Sequence, residues 1–287
     1  MALFWFCFIL FVNGYLSAFA QAETQDELSH YIVEVQVVAP DRKGEYVPAL
    51  LSMILNASKA PDEVIDLLLS DHMLSQARWI AEVQKQDNNN ILWTVTSKER
   101  EQLLRPIRIP IYKDLWDMRL LVIRKQDEEK FAQIKNKNDL TMYTAGQGAH
   151  WPDNAILLAN GLGVMLGSGT ENLYKMLQAK RFDYFPRSIV EFSAESRFVE
   201  ASDLVVEKNI LLSYPNPMYF FVNKANSELA ERIERGWEII IKNGEFDKFF
   251  YADAQVKSAL EQLKKYDRQI IRLDNPDLLD DTYASPK

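Results

Sequence analysis

The residues best suited to binding chemistry lie in one polar run that follows a β-prone segment. Thr94, Thr96 and Ser97 supply hydroxyl groups, and Arg100 follows them near the start of a predicted helix. A guanidinium presents a planar fork of donors that matches a carboxylate, and hydroxyl and backbone N–H groups can supply further hydrogen bonds. The run is therefore a candidate carboxylate-binding site. The alternative is a solvated helix start, because a single arginine is most often a surface residue.

A second group of candidate binding residues lies further along the chain. Gly148, His150 and Trp151 precede a predicted helix whose exposed N-terminal amides favour an anionic group. Trp93 adds an aromatic side chain beside the hydroxyl-rich run, although tryptophans are on average highly buried and often belong to the core. The remaining candidates, which follow a predicted strand, are Arg187, Ser188 and Glu191.

Spacing argues against metal, dinucleotide and nucleophile chemistry. The three histidines share no metal-ligand spacing, so we expect neither a metal nor a cofactor. The glycine-rich run 161–167 leads from a helix end into a strand, whereas a dinucleotide fingerprint needs a strand before a helix. Ser168 is explained by a capping box with Glu171. The carboxylates available for acid–base catalysis are Asp153 and Glu191, neither with a recognisable partner.

The elements that would position these residues alternate regularly between residues 139 and 191. Apolar periodicity predicts a strand at 141–145, a helix opening at Trp151-Pro152-Asp153, a buried strand at 163–166, a second helix, and a strand at 182–185. This order implies right-handed βαβ units and a parallel sheet, and hence an α/β fold. Small ligands bind such sheets at the carboxyl ends of the strands.

The same signals predict the elements on either side of this region. Strands are expected at 31–38, 91–96, 120–123 and 218–222, and helices at 46–55, 74–83, 127–136, 189–198, 227–243, 245–251 and 254–266. Residues 204–213 are predicted to form either a strand pair or one long strand, and residues 64–69 are ambiguous between strand and helix by periodicity alone. The last twenty residues, which are rich in Asp and Pro, are predicted to form a surface tail.

Several of these segments resemble the second lobe of bacterial periplasmic solute-binding proteins of type 2, the amino-acid-binding family 3. They are Gly148-Ala149-His150-Trp151-Pro152-Asp153, Asn160-Gly161-Leu162 and the run Met176–Tyr184. The resemblance implies a two-lobed fold in which each lobe is a mainly parallel sheet flanked by helices, with two crossover segments between the lobes. It assigns residues 23–119 plus 218–287 to lobe one and residues 120–217 to lobe two, with the helices 245–251 and 254–266 behind lobe one. The family's order of elements also makes residues 64–69 the second strand.

The resemblance also implies roles for single residues. The run from Thr94 to Arg100 is similar to the Thr/Ser-x-Thr/Ser-x-x-Arg segment with which these proteins bind a ligand carboxylate, which implies that Arg100 is the anchor. Val95 stands where that segment has its first hydroxyl, with Thr94 and Thr96 on either side.

The expected partner of a ligand ammonium group is replaced in this chain. The family places an Asp five residues after the strand aspartate, here Asp183, and this chain has Ser188 at that position. Glu191, one turn further on, is the candidate substitute. Because His150 and Arg187 present donors, we expect an acidic or hydroxyl-rich ligand, or a ligand-free cleft used for signalling, rather than a standard amino acid.

The N-terminal segment is predicted to be a signal peptide covering residues 1–22, which places the mature protein in the periplasm. Leu3–Leu16 is almost wholly apolar, and Ala18-Phe19-Ala20 supplies the small residues of a cleavage site. An uncleaved membrane anchor is the alternative. The only cysteine, Cys7, lies inside the apolar run, so the mature chain has none for a disulfide or a thiolate.

Composition completes the functional hypothesis. The 41 acidic and 33 basic residues give a net charge of −8, which disfavours nucleic acid as a partner. We expect a monomeric, non-catalytic binding protein that captures a small-molecule ligand in an interlobe cleft for a membrane transporter or a sensor protein. The alternative is a dehydratase-like enzyme on the same fold, which would use a cleft carboxylate.

Overall fold

The computed structural model describes residues 29–36, 46–69, 76–85 and 89–278. The predicted signal peptide lies outside these ranges. The strands are β1 (Ser29–Gln36), β2 (Glu63–Leu69), β3 (Ile91–Val95), β4 (Arg105–Ile107), β5 (Met118–Arg124), β6 (Thr144–Gly148), β7 (Gly163–Gly167), β8 (Tyr184–Ser188), β9 (Leu204–Ser213), β10 (Met218–Val222) and β11 (Gln269–Arg272).

Helices flank the strands throughout the described ranges. They are α1 (Tyr46–Ser58), α2 (Gln76–Val83), α3 (Lys98–Leu103), α4 (Glu128–Phe131), α5 (Lys137–Leu140), α6 (Asp153–Ala159), α7 (Thr170–Gln178), α8 (Ile189–Glu200), α9 (Ser227–Lys242), α10 (Glu245–Ala252) and α11 (Ala254–Lys265). None of these helices is both long enough and apolar enough to cross a membrane, a finding that covers the described residues alone.

Two sheets divide the strands, and we refer to the elements built on them as the first and second lobes. The first sheet has the order β2-β1-β3-β10-β4, and the second has the order β11-β9-β5-β8-β6-β7. In the first sheet β1 pairs in parallel with β2 and β3, whereas β10 runs antiparallel to β3 and β4. The predicted strand 218–222 is therefore confirmed, and it returns the chain to the first sheet.

Alternating side chains explain how helices cover both faces of the first sheet. Phe220 and Val222 of β10 pack into the core shared with α1 and α9, whereas Tyr219 and Phe221 pack with Trp79 of α2. All four β10 side chains are fully buried, as a central strand covered on both faces requires.

Close packing of α1 on α9 depends on Gly236. A Cβ atom at this position would lie 2.1 Å from the carbonyl oxygen of Ile54, and a backbone atom cannot easily move away. We expect Gly236→Ala to destabilise the protein by about 1–3 kcal/mol, because overpacking outweighs the gain of about 1 kcal/mol in helix propensity. Urea unfolding measures this loss. Glu238→Ala, at an exposed position of the same helix, is the control, and a Gly236→Ala variant as stable as the parent would contradict the packing argument.

An ion pair between Glu63 and Arg232 joins β2 to α9, and its carboxylate has a lowered pKa. Both carboxylate oxygens of Glu63 accept hydrogen bonds from the guanidinium of Arg232, at 2.5 and 2.7 Å. The bonds from Arg232, with one from the backbone N–H of Ala60, lower the pKa of Glu63 from 4.5 to about 2.

The pair therefore contributes fully above pH 4.5, where the carboxylate is ionised in both the folded and the unfolded chain. Its contribution is lost as the pH falls toward 2, because the unfolded chain takes up the proton first. We expect Glu63→Gln to flatten the fall in melting temperature over this range. Asp62→Asn, at an exposed neighbouring position, should leave the acid dependence unchanged, and an equal effect of both variants would contradict the assignment to Glu63.

The second sheet is built around β5, which pairs antiparallel with β8 and β9. Its side chains alternate between two cores: Leu120 and Val122 pack on one face, Leu121 and Ile123 on the other. The strands β6, β7 and β8 run parallel to one another, as the predicted βαβ units require. Residues 204–213, predicted to be a strand pair or one long strand, form the single strand β9.

Two local predictions in this lobe are wrong. Residues 163–166 were expected to be buried, but β7 is the edge strand, and Met165 and Leu166 are 42% and 50% exposed. An apolar run alone cannot distinguish an edge strand from a central one. The predicted capping box at Ser168 is also absent. The N-cap of α7 is Gly169, with φ 73° and no side-chain cap, and Glu171 instead pairs with Lys175.

The predicted charged helix 127–136 is also wrong, because a new helix start interrupts it. The Asn136 side chain accepts from the backbone N–H groups of Asn138 and Asp139, and the Asp139 carboxylate accepts from those of Lys135 and Asn136. This capping box begins α5, and only α4 remains of the expected helix. Strand β6 begins three residues later than expected, and strand β8 begins two residues later.

The C-terminal part of the chain returns to the second lobe. Helix α11 packs against α8, and β11 pairs in parallel with β9. The prediction that residues 218–287 belong wholly to lobe one is therefore wrong for residues 254–272, and the predicted surface tail is wrong for β11; residues 279–287 lie outside the described ranges. The strand β11 has no periodic run long enough to separate it from a loop by pattern alone.

Candidate functional site

A cavity of about 460 Å³ lies between the two lobes. Ser97 and Arg100 line it from the first lobe, and His150 and Trp151 line it from the second. Asp277, in the segment after β11, also lines it. Residues that the sequence analysis placed in separate segments therefore meet in one cleft, close to the carboxyl ends of β3 and β6.

Arg100 is the best-positioned cation of the cleft. It is only 5% exposed, and its Nη1 donates to the Thr94 hydroxyl at 2.8 Å and to the Val95 carbonyl at 2.5 Å. Burial lowers the pKa of Arg100 to about 10, while Asp153 and Glu99 oppose that shift. The guanidinium therefore stays protonated at neutral pH, and it is held in one orientation at the cavity wall.

The hydroxyl groups around Arg100 have structural partners. Ser97 caps α3 by accepting from the backbone N–H of Arg100 at 3.2 Å, and the hydroxyl of Thr96 donates to Glu101 at 2.6 Å. Thr94 and Thr96 are buried beneath the cavity and do not line it within the described residues. They fix Arg100 and the start of its helix.

Trp93 lies outside the cavity wall. It is half-buried and packs against the core that α1 and α9 share. Among the described residues, Trp151 is the tryptophan that lines the cleft. Gly148 makes the position of Trp151 possible, because a Cβ atom there would lie 2.4 Å from the Trp151 ring.

Behind Trp151 lies a buried ion cluster around Arg187. Its Nε and Nη2 donate to the two carboxylate oxygens of Glu195, both at 2.7 Å, and Nη2 also donates to Glu191 at 2.8 Å. The guanidinium carbon lies 4.8 Å from the centre of the Trp151 ring and 5.0 Å from that of Phe185. Burial lowers the pKa of Arg187, but the two carboxylates outweigh burial and hold that pKa well above its ordinary value.

The expectation that Arg187 offers donors to the ligand is therefore corrected. Its hydrogen bonds go to Glu191 and Glu195, and Glu191 in turn is not a free substitute for an ammonium-binding Asp. Ser188 is 1% exposed, at the start of α8. Among the described residues, the cavity lining includes none of Arg187, Ser188 and Glu191.

A polar network missed by the sequence analysis holds the start of α6. Asp153 accepts from the Tyr214 hydroxyl at 2.6 Å, from the Asn216 amide at 3.1 Å and from Arg119 Nε at 3.3 Å. Arg119 is also 4.7 Å from the centre of the Tyr214 ring. The network joins the loop that carries Trp151 to both crossover segments, and it occupies the Asp153 carboxylate that acid–base catalysis would need.

A larger cavity, of about 600 Å³, lies at the carboxyl end of β5. Its buried cation, Arg124, donates to Asp127 and to the backbone carbonyls of Leu177 and Phe182. Because these bonds occupy the Arg124 guanidinium within the second lobe, we consider the interlobe cleft the better candidate site. Within the described ranges, no cluster of His, Cys, Asp and Glu is arranged to hold a metal ion.

Solved structures with the same fold support the architecture. One is described as an ancestral arginine-binding protein bound to arginine, with a TM-score of 0.55 and 16% identity, covering 78% of this chain and 97% of that one. A histidine kinase sensor domain with similarity to periplasmic binding proteins has a TM-score of 0.55 at 15% identity, covering 79% and 97%. The BvgS VFT2 domain of Bordetella pertussis has a TM-score of 0.58 at 14% identity, covering 78% and 92%.

No protein-family model matches the chain, and no curated protein is significantly similar to it. The fold is therefore assigned from the structural similarity, together with the two sheets and the crossovers between them. The chain has the two-lobed α/β fold of type 2 periplasmic solute-binding proteins.

Proposed function

We propose that this chain is a non-catalytic binding protein that captures a small, carboxylate-bearing ligand in the cleft between its lobes. The observation that carries the proposal is Arg100, a buried and oriented guanidinium in the wall of an interlobe cavity. A fixed fork of donors in a partly desolvated site binds a carboxylate more strongly than an exposed arginine would. Trp151 and His150, on the opposite wall, would then close on the ligand.

The preference for an acidic ligand over an amino acid is not part of this proposal. That expectation depended on donors from Arg187, and these are paired with Glu191 and Glu195. One structurally similar protein, an ancestral arginine-binding protein, is bound to arginine, which bears a carboxylate and cationic groups. An anionic ligand is therefore not favoured over a zwitterionic one.

The cellular role follows from the same proposal. After removal of residues 1–22 the protein would act as a monomer in the periplasm, and it would present its ligand to a membrane transporter or to a sensor protein. A dehydratase-like activity would instead need a carboxylate able to exchange a proton with a substrate. The candidates, Asp153 and Glu191, are both hydrogen-bonded to buried arginines.

A thermal-shift panel tests the proposal. The purified protein is heated with each standard amino acid, with succinate and glutarate, and with sugar acids. A ligand at a hundred times its dissociation constant adds about 2.7 kcal/mol, which raises the melting temperature of a chain of this size by about 5–10 °C. A folded protein that none of these carboxylates stabilises would contradict the proposal.

A further inference from the structure

The segment after β11 is hydrogen-bonded to the rest of the protein. Residues 273–278, which we call the C-terminal strap, are fixed to the second lobe at several points. The backbone N–H of Leu273 donates to the Ser213 carbonyl at 2.9 Å, and the Leu273 side chain is buried. Asn160 donates to the Asp274 carbonyl at 2.7 Å, and Asn275 donates to the Pro215 carbonyl at 2.7 Å.

The strap then crosses the mouth of the cleft and reaches the first lobe. Lys98, at the start of α3, donates to the Pro276 carbonyl at 2.6 Å. The side chain of Asn275 accepts from the backbone N–H of Asp277 at 2.9 Å and so turns the chain there. This turn brings Asp277 to the cavity wall that also contains Arg100.

Asp277 adds a negatively charged group to the cleft wall. Arg100 supplies a positive group on one side, and Asp277 supplies a negative group from a different segment. The Asp277 carboxylate is half-buried, and within the described ranges it forms no ion pair. Lys98 bonds the backbone of the strap and not this carboxylate. A site with separated opposite charges selects a ligand that carries both signs, and it repels a second carboxylate.

We propose that Asp277 pairs with a cationic group of the ligand, so that the strap supplies the negative charge of the site. This inference depends on the proposed function of the cleft. The strap would thereby replace the family's ammonium-binding Asp, whose position holds the buried Ser188 in this chain. Glu99 is the other carboxylate at the rim, but it is exposed, and solvent weakens its attraction for a ligand.

Calorimetric titration of the full chain tests the inference, with the standard amino acids, succinate and glutarate as probes. We expect at least one amino acid to bind and both dicarboxylates to bind more weakly. Asp277→Asn should weaken binding of that amino acid about tenfold or more, as expected for loss of a charge-assisted hydrogen bond. Asp274→Asn, at an exposed position of the same strap, should leave the dissociation constant within about twofold.

The inference is overturned if the dicarboxylates bind more tightly than every amino acid. It is also overturned if Asp277→Asn binds like the parent, or if Glu99→Gln alone weakens binding. Loss of binding in Arg100→Ala together with unchanged binding in Asp277→Asn overturns the role of Asp277 and leaves the proposed function standing. Absence of binding by all of these probes overturns the role of Asp277, and absence of binding by the sugar acids as well overturns the proposed function.

Discussion

Replacement of Arg187 by alanine is expected to destabilise the folded protein by about 3–5 kcal/mol, the cost of removing one partner from a buried ion pair. The change would leave the carboxylate of Glu195, which is 2% exposed, without its two bonds from Arg187. It would also leave a cavity beside Trp151 and Phe185, whose ring centres lie 4.8 and 5.0 Å from the guanidinium carbon. Equilibrium unfolding in urea measures the loss.

Two further variants separate the buried charge from other effects. Arg181→Ala, at an exposed position of the same lobe, should change stability by less than about 0.5 kcal/mol. The double variant Arg187→Met with Glu195→Gln removes both charges of the Arg187–Glu195 pair and keeps an acceptor for the Tyr174 hydroxyl. The remaining carboxylate, Glu191, is 18% exposed and can be solvated, so the variant should regain most of the loss. A single variant that loses less than about 1 kcal/mol would show that the cluster is solvated rather than buried.

Replacement of Arg100 by alanine is expected to weaken ligand binding by about 1.5–3 kcal/mol, which is roughly 10- to 150-fold. The folded state should survive, because Arg100 borders a cavity into which water can enter and bond the Thr94 hydroxyl and Val95 carbonyl that it leaves. The measurement is a calorimetric titration with the carboxylate that the thermal-shift panel identifies.

Arg100→Lys serves as the matched control for charge. It keeps the positive charge but loses the planar fork, so we expect an affinity between those of the parent and the alanine variant. Equal affinities of parent and alanine variant would assign Arg100 a structural role only. An alanine variant that unfolds at room temperature would contradict the expectation that Arg100 serves the ligand more than the core.

The sequence predicted those parts of the molecule that are determined by residues close to one another in the chain. The helix α9, with Asn243 and Gly244 at its end, follows from periodicity and capping. Residues 204–213 were predicted to be strand, but periodicity did not distinguish one strand from two. Arg100 was found for the same reason, since its hydroxyl neighbours lie within six residues of it. The exposure of β7 could not be predicted, because sheet order decides which strand lies at the edge.

The errors at the site have a common physical cause. Arg187 was interpreted as a ligand donor because its type and position fit, but Glu195, eight residues later, is brought onto it by the first two turns of α8. Asp277 was overlooked because its segment has no apolar period. Its place in the cleft comes from bonds made by Asn160, Pro215 and Lys98, which are remote in the chain.

Hydrogen–deuterium exchange with and without a bound carboxylate tests most directly whether the ligand lies between the lobes. Binding at the cleft should slow exchange in residues 97–102 and 148–155 together, because these segments line opposite walls of the same cavity. Arg100→Ala, at the same ligand concentration, should lose the protection in both segments. Protection confined to one lobe, or centred on Lys125 and Lys180 at the larger cavity, would contradict the proposed function.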